Sequence, residues 1–417
     1  MKKTQIVFFL LVAVAFSAAA GGGGQSQQSG PVTLDFPTWQ ADEAGFGDFW
    51  KLMKSQFEGK NSNTTINVYN IPFAQYTDTL ITRFSAGDPP DIVHIPSRTF
   101  GQYAAQGWFA ALDNDFAGTD ILQNWTALQN TMVYRGQNQG LLLMGYGAVL
   151  FYNEKILTEA GVRVPTTKDE LLNAVRAVAA LNRDYNGYGL TTQQHNNVYV
   201  DFANMVVGYG SILVKDGKYN FNDPKLLQAA EDYRTLASFA PKGISSEMMR
   251  QMWVDGKVAM FVDGPFVAAL IDTADPALKP FLKIARPPFE VTPGSISNSL
   301  HIASDLKGPK RDLVVNFIKQ VAEPANQVRY SELTKSPAGR STIAGQIQDP
   351  NLKFANDIAK VAINVNPESE KIMAEYTKFV NTLITSVLKL QMAERNVTTS
   401  SILTELETNL VREGLAP

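Results

Sequence analysis

Ser97 and Arg98 end a short stretch in which a Gly-Asp-Pro-Pro turn, residues 87–90, passes directly into the β-branched run Ile92-Val93-His94-Ile95. A hydroxyl beside a guanidinium can hydrogen-bond polar solutes, and the guanidinium fork suits a carboxylate or phosphate. Pro89 and Pro90 fix φ and donate no hydrogen bond, so the helix ending near Phe84 stops before them. The run behind them lacks polar alternation and predicts a short strand buried on both faces, as in a parallel sheet covered by helices. In such sheets ligands sit beyond the carboxyl ends of the strands. Ser97 and Arg98 fall at that end, either as groups delivered to a cleft or as part of an ordinary α/β connection.

Other chemistries have less support. His94, His195 and His301 lie far apart and lack the paired spacing of a metal-binding helix, and the absence of cysteine rules out disulfides and thiolate ligands. No metal and no cofactor is expected. Asp42, Asp201 and Asp263 supply carboxylates of the kind a glycoside hydrolase uses in pairs. No nucleophile elbow, metal triad or phosphate-binding glycine loop accompanies them, so no enzymatic activity is expected. The net charge of −3 on 417 residues leaves no electrostatic footprint for nucleic acid or an anionic membrane.

The elements around these residues alternate. A strand at "VTLDF" precedes a helix at "GFGDFWKLMKSQFEGK", whose Phe46, Phe49, Trp50, Met53 and Phe57 recur at three-to-four-residue steps. A second strand, "TTINVYNI", a second helix, "FAQYTDTLITRFSAG", the strand "DIVHI" and a helix from Phe100 follow. This alternation is that of an α/β lobe. Beyond Asp113 come two apolar runs and a helix from Asn153 to Ala160. A long helix capped by Thr166 or Thr167 follows, and then a largely helical final third. The chain exceeds what one hydrophobic core usually organises, so two lobes are expected.

Residues 1–20 read as a secretory signal, with Lys2-Lys3, the apolar run Ile6 to Phe16 and a small-residue cleavage site. Residues 21–30 read as a flexible linker. The junction resembles that of a lipoprotein, but Ala20 stands where the acylated cysteine would be. The expected location is the periplasm or the exterior, with a membrane tether only if Ala20 replaces a native cysteine.

"AGDPPDIV", "FGQYAAQGWFAALD", "LFYNEKILTEAGVRVPTTKDELLNAV", "FVDGPF" after "MWVDGKVAM", and "GPKRDLVVNFIKQV" occur in an order and spacing that resembles the extracellular solute-binding proteins of family 1. These are the maltose-binding-protein-like sugar-binding subunits of bacterial ABC importers. The resemblance implies an α/β, two-lobe periplasmic-binding-protein fold of type II, each lobe a sheet flanked by helices, joined by a hinge. Lobe I is expected over residues 31–112 and 297–342, and lobe II over 113–296 and 343–417. The implied partners are a small carbohydrate and the permease subunits of the importer in the inner membrane, with the protein acting as a monomer.

A sugar site needs aromatic faces for C–H groups and planar polar side chains for hydroxyls. The expected set in lobe I is Trp39, Gln40 and Asp42 after the first strand, with Ser97 and Arg98. Ile95 stands where maltose-binding members carry a stacking Trp. Tyr146 matches the family's Leu-Pro-Tyr loop, with Gly145 in place of the proline, and Phe266 matches the aromatic of its Gly-Pro-Trp motif. Asn197 and Tyr199 are expected from lobe II, with Asp263 either holding hydroxyls or capping the next helix. Asn298, Ser299, Arg340 and Glu368 complete the expected set. Trp50 and Trp253 are expected in the cores, and Trp108 and Trp125 are left open. Arg98 and Arg340 also motivate a rival ligand class, an anionic solute such as a sugar phosphate or glycerol phosphate.

Overall fold

A computed structural model describes residues 30–392 and 396–417. The signal and nearly all of the linker lie outside them. The elements that position the site are β1 (Val32–Thr38), α1 (Phe46–Lys60), β2 (Thr64–Asn70), α2 (Phe73–Ser85), β3 (Val93–Pro96), α3 (Phe100–Ala105), β4 (Leu141–Gly147), β5 (Val149–Asn153), α4 (Asn196–Gly208), β6 (Met260–Asp263), β7 (Leu282–Ala285), β8 (Pro293–His301), β9 (Ile363–Asn364), α5 (Glu370–Ala374) and α6 (Tyr376–Met392).

The first core gathers around two adjoining sheets, β1-β2 and one made of β3, β4, β8 and β9. β1 and β2 pair in parallel from Val32↔Thr64 to Thr38↔Asn70. β3 runs beside β1, where the Ile92 amide donates to the Asp35 carbonyl at 3.1 Å. β3 is antiparallel to β8, with His301 opposite Val93 and Asn298 opposite Pro96, and β4 flanks β8 on its other side. All four residues of β3 are buried, as their apolar run predicts. Trp50 is buried in this core beside Phe36, and Trp108 stacks on Phe84 at 5.0 Å.

The buried side chains from Phe116 to Met144 belong to this same core. The sequence placed residues from 113 onward in lobe II. The assignment is corrected for this stretch because β4 pairs along β8 in the same sheet as β3. The correction has a physical cause: the apolar run 141–144 fits either core, and only its non-local partner decides.

The second core is mainly helical. It packs the helices Lys168–Ala180, α4, Pro224–Ala237, α6 and Thr399–Arg412. The antiparallel sheet β6-β5-β7 sits beside it, with Trp253 fully buried against Phe151 and Phe261. The helix Lys168–Ala180 starts where its cap predicts, the Glu170 amide donating to the Thr167 hydroxyl at 3.2 Å.

Three strands carry the chain between the cores, and they are bonded to one another. The Ala148 amide donates to the Pro293 carbonyl at 2.8 Å, Ile363 to Thr292 at 3.0 Å, and Val365 to Gly294 at 2.9 Å. A Cβ on Gly294 would lie 2.6 Å from the Ala362 Cβ and 2.7 Å from the Tyr146 carbonyl oxygen. The close approach of these strands therefore requires glycine there.

Candidate functional site

The carboxyl end of β3 opens on the gap between the two cores, as the α/β rule predicts. A cavity of ≈ 510 Å³ fills part of this gap, within the range of ligand sites. Ser97 and Arg98 line it from the first lobe, and Asn364, Asn366, Glu368 and Tyr376 from the second. Ile296 of β8 forms its floor. Three of the expected residues, Ser97, Arg98 and Glu368, are thus brought together from opposite walls. The Ser97 hydroxyl is buried without a hydrogen-bond partner. Arg98 has no acidic partner among the described residues and lies over the Phe73 ring at 5.8 Å.

Tyr146 and Phe266 meet edge to face at 5.5 Å at the junction of the lobes. Burial pushes the Tyr146 phenol up to about 12, with the Asp263 carboxylate adding to it. Burial likewise pushes the Tyr376 phenol up to about 12. Both stay protonated at neutral pH and serve as hydroxyl donors. The Tyr376 hydroxyl and the Tyr199 hydroxyl each donate to the Asn366 Oδ1 at 3.2 Å. The Asn366 Nδ2 donates to the Asn364 Oδ1 at 3.0 Å, so this carboxamide is held at the cavity by three side chains.

Other expected contacts lie elsewhere. Trp39 is buried, stacked parallel on His94 at 4.3 Å and edge-on to Tyr76. Gln40 is buried beside it, and Asp42 is exposed away from the cavity. Asn197 sits in the first turn of α4, its amide donating to His195 Nδ1, and does not reach the cavity. Tyr199 is buried and acts through Asn366 and the Val365 carbonyl. Asp263 is engaged on both oxygens, by Arg250 Nε at 2.9 Å and by the Gly264 amide at 2.6 Å.

Asn298 and Ser299 are fully buried. Because β8 is antiparallel to β3, the cleft level beside Arg98 falls at Ile296, before Asn298; Asn298 instead meets Tyr330 and Ser299 meets His301. Arg340 is 2% exposed, with both terminal nitrogens on Asp120 at 2.7 and 2.8 Å, Nε on the Ala322 carbonyl and its plane over Trp125. It fastens the first core and is not available to a ligand. Arg340→Ala is expected to lower the unfolding free energy by about 2 kcal/mol and leave ligand affinity unchanged, because Asp120 is half-exposed and regains water. Denaturant titration with a parallel binding measurement checks this; weakened binding at full stability would return Arg340 to the site.

Sequence reasoning missed Asn366 and Tyr376, which line the cavity. Asn366 and Tyr376 carry no local signal, since the third crossing strand alone brings them to the cleft.

The two lobes touch beside the cavity. Gln102 Nε2 donates to the Thr377 hydroxyl at 3.1 Å, Arg135 Nε pairs with Glu370 at 3.2 Å, and Gly101 of α3 packs on Met373 of α5. Among the described residues, no group of three or more His, Asp and Glu is placed to hold a metal, and no helix is long and apolar enough to cross a membrane.

The model of the bacterial extracellular solute-binding protein family matches residues 40–328, well over half of the chain. A sequence from Brucella abortus strain 2308 named as a binding protein is 28% identical over 266 residues, 61% of this chain and 62% of that relative's length. Among solved structures, the cyclic α-maltosyl-1,6-maltose binding protein of Arthrobacter globiformis superposes with a TM-score of 0.79 at 17% identity, covering 93% of this chain and 100% of that one. The sugar-binding protein MalE of Xanthomonas citri gives 0.77 at 19% identity, covering 92% and 97%. The fold is the type II, two-lobe periplasmic-binding-protein fold.

Proposed function

Because the chain belongs to the bacterial extracellular solute-binding protein family, we propose that it captures a sugar or oligosaccharide between its lobes by hinge closure and delivers it to the permease of an ABC importer. The cavity carries this reading. It joins hydroxyl and carboxamide groups of both lobes, Ser97, Asn366 and Tyr376, and the aromatic pair Tyr146 and Phe266 adds ring faces at the junction of the lobes. Such a set matches the alternating hydroxyls and C–H faces of a saccharide. Lobe I then comprises residues 31–147 with the return through β8, and lobe II most of the remainder. The protein works as a monomer, exported by its leader, and its closed form is what the permease meets.

A second reading follows from Arg98, which faces the cavity without an acid to neutralise it. A sugar phosphate or acidic sugar would supply that acid. The carboxylates Asp201 and Asp263 do not favour hydrolysis, since Asp263 is committed to Arg250, and the family and its solved neighbours are binding proteins.

A thermal-shift series against mono- and oligosaccharides, polyols and sugar phosphates tests both readings. A ligand at a hundredfold excess over its dissociation constant stabilises the folded chain by about 2.7 kcal/mol. Arg98→Ala is expected to weaken the best ligand about tenfold, consistent with loss of a charged hydrogen bond. If that ligand is neutral, added salt leaves its affinity unchanged. A steep fall with salt selects the anion, and release of reducing sugar would overturn the binding assignment.

A further inference from the structure

Among the described residues Phe73 is the one exposed aromatic side chain, at 50%. It is not placed at random. It opens α2 just past the carboxyl end of β2, the strand paired with β1. Its inner side rests on Trp39, ring centroids 5.7 Å apart, and Trp39 is itself clamped flat on the buried His94 at 4.3 Å and 2°. The Arg98 guanidinium, which lines the cavity, stands 5.8 Å from the Phe73 centroid. The ends of β1, β2 and β3 thus contribute one assembly: a buried indole, a half-exposed phenyl seated on it, and a guanidinium that lies over the phenyl and itself lines the cavity. The inner contacts limit how the ring can turn, and its free half remains wetted.

We propose that Phe73 is a specificity-determining residue, the stacking platform on which the first lobe receives a ring of the ligand, with Arg98 directing a hydroxyl or acidic group at that ring's edge. This rests on the reading of the cavity as a saccharide site. Trp39, expected from sequence to be the platform, becomes its support: it holds Phe73 and offers little surface of its own.

The test titrates wild type, Phe73→Ala and Phe73→Trp with glucose, maltose, maltotriose and glucose 6-phosphate, and records each protein's unliganded melting temperature. The Ala variant should bind the wild type's best probe roughly tenfold more weakly, and the Trp variant within about threefold of wild type. Both should melt with the wild type when unliganded. An Ala variant that binds as tightly as wild type overturns the platform alone. So does a loss that tracks a lowered melting temperature, or a Trp variant as weak as the Ala variant. A wild type that binds none of the probes removes the saccharide reading and the platform with it.

Discussion

Gly101→Val should cut ligand affinity by roughly ten- to a hundredfold while leaving each lobe folded. A Cβ at residue 101 would lie 2.3 Å from the Met373 Cβ and 2.7 and 2.8 Å from the Met373 carbonyl carbon and oxygen. Backbone atoms of α5 cannot rotate away, so the neighbours must separate. Gly101 belongs to the first lobe and Met373 follows the third crossing, so the relief with least disturbance is a rotation between lobes. Overpacking of this kind costs about 1–3 kcal/mol, and here the cost falls only on the arrangement in which α3 and α5 meet. The nearby Arg135–Glu370 pair is exposed and adds little resistance. Titration calorimetry would read the affinity, and small-angle scattering of the saturated variant would show a larger radius of gyration than saturated wild type. Unchanged affinity would mean that α3 and α5 need not meet when ligand binds.

The second large effect is an acid instability set by two histidines. Burial holds both His94 and His301 down at about 3, against an ordinary value of 6.5. His301 is stacked on Phe109 at 4.2 Å; its Nδ1 donates to the Gln139 carbonyl, which leaves Nε2 to accept from Ser299. His94 accepts or donates at Nδ1 to Thr38 beneath Trp39. Below pH 6.5 the unfolded chain takes up protons that the folded chain refuses, so stability is present above that pH and lost on the way down to about 3. At about 1.4 kcal/mol per pKa unit, each ring contributes several kcal/mol over the full window.

Asp201 opposes this. Burial raises its carboxyl to about 7 from 3.8, so between those values the folded chain holds a proton the unfolded chain has lost, and acidification stabilises. Two groups outweigh one, and the wild type should lose stability steadily below pH 6.5. Asp201→Asn should steepen the loss. Denaturant midpoints at pH 7.5, 6 and 5 measure it; a flat series, or a shallower one in the variant, would contradict the assignment.

The helices and strands were legible because their signals are local. The apolar spacing of Phe49, Trp50, Met53 and Phe57 predicts α1, and Thr167 marks the start of its helix. Of the expected residues, Ser97 and Arg98 at a strand end and Glu368 in the returning loop line the cavity. Asn298 and Ser299 lie off the cavity because register is a property of two strands: a shift of two residues along β8 separates Ile296, which lines the cavity, from the buried Asn298. Arg340 is buried against Asp120 and lies off the cavity, an arrangement that a lone arginine in a loop does not reveal. Trp39 stands at the strand end where it was expected but is buried beneath its neighbour Phe73, a contact that a single strand end does not reveal.

The threading of three strands between the cores also governs the order in which this chain can fold. β8 is the inner strand of its sheet, yet its partner β3 ends some two hundred residues earlier. The second core is likewise incomplete until α6 and the helix Thr399–Arg412 arrive. Neither unit can close on a growing polypeptide until most of it has been synthesised. Pairings this distant carry a large loop-closure entropy and form slowly, so the nascent chain stays open and threadable until late in its synthesis.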